Sequence, residues 1–207
     1  MEDLHKYEHE LNKKGINIIA GVDEVGRGPL IGSVITACVV LPKDFELTGL
    51  TDSKKLSEKK RNEYYKIIKD KALAIGIGEC TEKEIDKYNI YEATKIAMKR
   101  AIDEANKQIS IEHVLIDAMP LELDIPTTSI IKGDAKSITI AAASVIAKVT
   151  RDKMMYELDK IYPMYDLANN KGYPTKKHIE AIEKYGICKY HRLSYGPVLR
   201  NKDKRID

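Results

Sequence analysis

The sequence predicts an α/β fold, a layered domain with a mixed β-sheet flanked by helices and followed by a helical C-terminal segment. Three observations predict it. Short apolar runs of strand length alternate with longer stretches of helical periodicity. Strands come first, helices intervene, and helices finish the chain. With 207 residues, 43% hydrophobic and 32% charged, the chain is long enough to bury a core and too apolar for wholesale disorder.

The elements follow in order. Residues 4–11 read as a weak amphipathic helix, and residues 16–22 (INIIAGV) as a short apolar strand. Gly26-Arg27-Gly28-Pro29 is a turn that no helix crosses. Residues 33–41, rich in Val and Ile, form a second strand that Pro42 stops. Residues 56–71 are helical, with Ser57 as N-cap. Residues 73–80 (LAIGIGEC) are a third strand. Thr81-Glu82-Lys83-Glu84 is a capping box for a long helix carrying Ile90, Ala93, Ala97, Ala101 and Ala105 on one face. Residues 113–116 are a fourth strand ending at Asp117, and residues 129–131 a short fifth. Residues 139–149 (TIAAASVIAKV) form a buried helix of small residues. Thr175 caps a helix over 176–185 that Gly186 closes. No internal repeat or Ser/Gly linker divides the chain.

Composition excludes several classes. No apolar run approaches the roughly 18–20 residues of a membrane span, and the N-terminus lacks a signal-peptide pattern, so no membrane partner is expected. Cys38, Cys80 and Cys188 are odd in number and widely spaced. They suit free thiols in a reducing, cytoplasmic setting rather than a disulfide framework or a zinc site. No large apolar patch is visible in the pattern, so a monomer is expected. The net charge of +3 hides an asymmetry: residues 170–207 carry ten Lys/Arg against four Asp/Glu, and the remainder carries 25 against 28. Tyr173, Tyr185, Tyr190 and Tyr195 interleave with those basic residues. Such a face suits phosphates and stacking, although a charge run is commonly just a solvated surface.

The candidate chemistry lies in acids at strand ends. Asp23 and Glu24 follow one apolar strand, Asp117 ends another, and Asp134 precedes the buried helix. Each alone reads as a cap or ion-pair partner. Together they can converge on one point, where their repulsion requires relief by divalent cations, Mg²⁺ or Mn²⁺. Two such ions clamping a phosphodiester are a hydrolytic device. Rival readings are weaker. Gly21-x-x-x-x-Gly26 begins like a P-loop but continues with Arg27-Gly28 in place of Lys and Ser/Thr. Gly26, Gly28 and Gly32 approach the dinucleotide fingerprint with one residue too many and Pro29 where the helix should open. Gly26 and Gly28 instead suit close backbone approach to a ligand, and Arg27 a phosphate contact or a loop lock. His5 and His9 read as surface residues, and the other histidines lack zinc spacing. Ser144 reads as a small helix-packing residue, and no Gly-x-Ser-x-Gly elbow is present.

In combination the motifs resemble the type 2 ribonuclease H family, ribonuclease HII. The resemblance rests on Gly21-Val-Asp23-Glu24-Val-Gly26-Arg27-Gly28-Pro29-Leu30, on Asp52-Ser53-Lys54-Lys55-Leu56, and on Asp117. It extends to Gly133-Asp134-Ala135-Lys136 running into Ala141 to Asp152, to Asn170 to His178, and to His191-Arg192-x-Ser194-Tyr195. It spans about residues 16–197, and about 15 residues precede it, which favours this type over its relative with an extra N-terminal domain. Ser33, Pro174 and Tyr195 depart from the usual pattern, all outside the acids.

The resemblance implies a ribonuclease H-like fold and a metal-dependent endonuclease. It would cut the RNA strand of RNA–DNA hybrids, or duplex DNA on the 5′ side of an embedded ribonucleotide, leaving 3′-hydroxyl and 5′-phosphate ends. It implies Asp23, Glu24, Asp117 and Asp134 as catalytic metal ligands. Gly26, Arg27, Gly28 and Tyr173 would recognise the ribonucleotide, and Lys54 and Lys136 would contact phosphate. Residues 1–165 would be the catalytic domain, and residues 166–207 a basic segment packing on it and holding nucleic acid. The alternatives are a non-catalytic hybrid-binding module on the same fold and, more remotely, a nucleotide-binding regulator built on the glycine turn.

Overall fold

The computed structural model describes residues 4–207. Five strands form one mixed sheet in the order β3-β2-β1-β4-β5. β1 (Ile19–Val25) runs antiparallel to β2 (Val34–Val40), which pairs antiparallel with β3 (Ala74–Cys80). On its other side β1 is parallel to β4 (His113–Asp117), and β4 to β5 (Thr127–Ile130). β2 is buried along its whole length and β1 nearly so, because helices cover both sheet faces. That is why neither alternates in hydropathy.

Before the sheet lies α1 (Lys6–Asn12), and after β2 comes α2 (Glu58–Lys71), capped by the Ser57 hydroxyl. α3 (Glu82–Asn106) covers one face: Met98, Ala101, Ile102 and Ala105 pack on Ala20, Val22, Cys38 and Val114. Its start is the expected capping box of Thr81 and Glu84. Asn89 breaks it with φ +65, and the Asn89 side chain accepts from the amides of Tyr91 and Glu92, capping the rest of the helix. The other face receives α2 and α4 (Ile138–Ile161), which pack on Val25, Ile35, Ala37 and Val39. α4 lies so close to β1 that a Cβ at Gly21 would sit 2.1 Å from the Thr139 carbonyl carbon.

The C-terminal region holds α5 (Leu167–Asn170), α6 (Lys176–Tyr185) and α7 (Gly196–Leu199). Their core joins Tyr165, Leu167, Ile182, Ile187 and Val198 to Leu30 and Ile31 from the β1–β2 connection. All three cysteines are buried and free. No helix among the described residues is long and apolar enough to cross a membrane.

Three boundaries differ from those expected. The first strand begins at Ile19 and continues through Asp23 and Glu24, because pairing with β2 persists to Val25 opposite Ile35. The fifth begins at Thr127, where β4 supplies a parallel partner for polar residues that show no strand pattern. The small-residue helix runs on to Ile161, since its later turns are amphipathic rather than wholly apolar.

Candidate metal centre and nucleic-acid face

Parallel pairing places Val22 opposite Ile116, so the next residues, Asp23 and Asp117, emerge side by side just past the last paired residues of β1 and β4. Alternation fixes the face. Gly21 abuts α4, and Asp23, two residues on, shares that side. Leu115 packs with Ile140 of α4, and Asp117 follows it by two. Asp134 lies in the 3-10 turn Gly133–Ala135 that leads into α4, and the Gly133 amide donates to Asp117 Oδ1 at 2.6 Å. One carboxylate oxygen from each of Asp23, Asp117 and Asp134 lies within 4.8 Å of the other two. Glu24 takes the opposite face of β1, stands outside this trio, and approaches Arg27 Nη1 at 3.8 Å.

The electrostatics follow from that crowding. Burial pushes Asp23 well above the usual carboxylate range, and Glu24 and Asp117 add to the rise. The Glu24 amide, donating to Asp23 Oδ1 at 2.8 Å, and Ser144 offset only part of it. Burial also raises Asp117 against the pull of the Gly133 amide. Asp134 rises to about 6 through burial, then through Asp117 and Asp52. Burial raises Glu24 too, opposed by Arg27. Three acids that resist ionising together, presenting hard oxygens to one point, fit a divalent cation such as Mg²⁺ or Mn²⁺. Lys54 stands at the edge of this group. Burial works against its charge, yet Asp23, Asp52 and Asp134 more than compensate and its pKa rises. Lys136 ends the Asp134 turn, its amide donating to the Gly133 carbonyl at 2.9 Å.

Ser144 is more than the packing residue expected. It is buried, bonds to Asp23, and its hydroxyl meets that of Ser53 at 2.8 Å, which ties the Lys54 turn to α4.

The glycine turn has a hidden support. Gly26 has φ +97, and a Cβ there would lie 2.3 Å from Arg151 Nε. Arg151 and Arg192 are both fully buried, and neither pairs with a carboxylate among the described residues. Arg192 donates to the carbonyls of Gly32 (2.8 Å), Arg27 (3.1 Å) and Gly26 (2.6 Å). Arg151 donates to those of Ser33 (3.2 Å), Ile31 (3.2 Å) and Lys171 (2.8 Å). The Tyr195 hydroxyl also donates to Arg27 O. A planar trans peptide that turns its carbonyl inward turns the following N–H outward. The amides of Arg27 and Gly28 therefore face away from the guanidiniums. Tyr173, 38% exposed, stands beside Gly28, with its Cε1 3.2 Å from where a Gly28 Cβ would be. The sequence contained both arginines within quoted motifs but gave no sign of this role. Only Arg151's place in a helix that starts as a run of small residues could have hinted at burial.

Of the histidines, His9 is exposed, whereas His178 and His191 pack around Tyr165, with ring centroids 5.8 and 4.8 Å from it.

Comparison with known proteins agrees with this architecture. A family model described as Ribonuclease HII matches residues 20–198. The chain is 56% identical over 203 residues to a ribonuclease HII of Bacillus cytotoxicus, covering 97% of this chain and 78% of that protein. It is 54% identical over 200 residues to one of Listeria innocua, covering 97% and 76%. Among solved structures, ribonuclease H2 from Pyrococcus horikoshii OT3 superposes with a TM-score of 0.73 at 25% identity, covering 89% of this chain and 97% of that one.

Proposed function

The chain belongs to the ribonuclease HII family, and from that premise we propose how it acts as a metal-dependent endoribonuclease on the RNA strand of RNA–DNA hybrids. Asp23, Asp117 and Asp134 would hold divalent cations, Mg²⁺ or Mn²⁺, and Glu24, which faces away from the trio but lies near enough for its charge to raise Asp23, would act as a fourth acid at the edge of the site. A pair of such ions held by these acids would supply the chemistry of activating a water and stabilising the leaving 3′-oxygen. The carboxylates fix that chemistry opposite the glycine turn. The outward amides of Arg27 and Gly28 meet the 2′-hydroxyl, the group that distinguishes RNA from DNA. Tyr173 packs on the sugar, Arg27 and Lys54 neutralise phosphate at the acids, and Lys136 contacts the backbone further out. The cut falls on the 5′ side of the ribonucleotide, leaving a 3′-hydroxyl and a 5′-phosphate, and a single ribonucleotide in duplex DNA suffices. Residues 1–165 carry the chemistry, while residues 166–207 hold the duplex and shape the glycine turn. The chain works as a monomer, and its three buried free thiols suit the reducing cytoplasm.

The observation that carries this reading is the convergence of three acids from β1, β4 and the turn before α4 within 4.8 Å. The test is cleavage of a DNA duplex with one ribonucleotide, in Mg²⁺, Mn²⁺ or chelator, beside an all-DNA duplex. One metal-dependent cut 5′ to the ribonucleotide is expected. Tight hybrid binding with no cut in either metal would replace this reading with that of a binding module.

A further inference from the structure

We propose that Glu8, in the N-terminal helix, is a positioning residue for the metal centre; the inference rests on the carboxylate trio being that centre. A helix begins with amides that have no partner within it. α4 satisfies its first four in a particular way. Ile140 N donates to the Ser137 hydroxyl and Ala141 N to the Ser137 carbonyl, both local. The other two reach across the chain: Ile138 N donates to the Leu4 carbonyl at 2.8 Å, and Thr139 N to Glu8 Oε1 at 3.2 Å. The same oxygen accepts from the hydroxyls of Ser137 at 2.6 Å and Thr139 at 2.8 Å.

Glu8 is only 8% exposed, and its second oxygen has no hydrogen-bond partner among the described residues. Burying a carboxylate this way is costly, and the return is a negative charge at the positive end of a 24-residue helix. What it holds is the junction of all three acids. Ser137 N donates to the Gly133 carbonyl, which fixes the turn carrying Asp134, and the Gly133 amide grips Asp117. Thr139 is the residue whose backbone abuts Gly21, two before Asp23. Ser144, further along the helix, bonds to Asp23 itself. Glu8 thus fixes the helix end against which the ligands from both strands and the turn are set, without touching any of them.

The experiment measures Mn²⁺ binding by calorimetric titration without nucleic acid, then kcat and KM for hybrid cleavage at saturating Mn²⁺. Glu8→Ala is expected to weaken Mn²⁺ binding about tenfold, the lower end of the usual cost of disturbing the groups that orient metal ligands. It should lower kcat with KM nearly unchanged. Glu8→Gln keeps a carbonyl acceptor for Ser137 and Thr139 and should recover most of both. Met98→Ala, a cavity under α3 on the sheet face opposite the trio, controls for lost stability and should leave Mn²⁺ binding intact. Thr139→Val removes one of the three donors to Glu8 and should weaken Mn²⁺ binding measurably but by less than Glu8→Ala, which provides the test if Glu8→Ala does not fold. Wild-type Mn²⁺ affinity in Glu8→Ala, or in Thr139→Val where the alanine variant does not fold, overturns the proposal. A wild-type protein that binds Mn²⁺ but cuts no hybrid overturns the proposed reaction and leaves the Glu8 test standing. A wild type that binds no Mn²⁺ overturns both.

Discussion

Two regions of this molecule bury like charges together, and they resolve the cost differently. At the ends of β1 and β4, three carboxylates share one point, and their oxygens receive few donors: the amides of Glu24, Gly133 and Asp134, and Ser144. Beneath the glycine turn, two guanidiniums lie buried with no carboxylate partner among the described residues, yet they donate to six backbone carbonyls. The arginines are satisfied from within, so they serve as scaffold. The acids are not, and a divalent cation is the ligand whose charge would complete their balance. Buried charge marks a binding site where its compensation is missing, and marks architecture where compensation is complete.

Variants can break or sharpen this contrast. The largest effect is expected from Asp117→Asn, which should reduce cleavage by about a thousandfold or more, the scale of removing a catalytic group outright. Without metal, hybrid binding should be unchanged or tighter, because one phosphate-repelling charge is gone. Near-normal cleavage would remove Asp117 from the centre. Arg192→Met should do the opposite. Leaving the Gly26 and Gly32 carbonyls without this donor, while Arg27 O keeps the Tyr195 hydroxyl, should cost about 2–6 kcal/mol and lower Tm by roughly 10 °C. Mn²⁺ affinity of the folded variant should hold. A full loss of Mn²⁺ binding there would show that the two regions are one.

A smaller effect follows from pH. Asp134 has its pKa raised to about 6, so the folded metal-free protein holds a proton that the unfolded chain releases near pH 4. Stability from this group is therefore present at low pH and lost as pH rises through about 4 to 6, the reverse of an ion-paired acid. Asp134→Asn should raise the metal-free Tm at pH 7 by a few degrees, discounted because the group is only partly buried. In the wild type, the Tm gain on adding Mn²⁺ should grow between pH 5 and 7. The smallest change is expected for Lys136→Ala, which should reduce the salt dependence of hybrid binding by about one phosphate contact and leave Tm unmoved.

Much of this was legible along the chain wherever the determinant is local. Ser57, the Thr81–Glu84 box and Thr175 cap the helices where their side chains suggest, because capping is settled within four residues. The acids Asp23 and Asp117 stood out because each ends an apolar strand, and Asp134 because it precedes the helix of small residues. Glu24 stood beside them in the sequence, but strand alternation sends it to the other face. What stayed hidden is set by partners far away. Arg151 and Arg192 look like surface residues until the β1–β2 connection folds over them. Glu8 looks like one acid in a weak helix, since the helix end it caps lies about 130 residues downstream. Asn89 interrupts a periodicity that continues on both sides of it, and only its φ reveals the break.

The grip of Arg192 on the glycine turn also has a direction in time. Its bonds to Gly32, Arg27 and Gly26 span 160, 165 and 166 residues. A chain growing on the ribosome exposes the three metal-centre acids well before residue 192 is made. The turn that would inspect a sugar takes its working shape only in the final stage of synthesis. The glycine turn is thus among the last parts of the nascent protein to gain its buried support, and a chain stalled short of Arg192 carries the acids beside an unbraced turn.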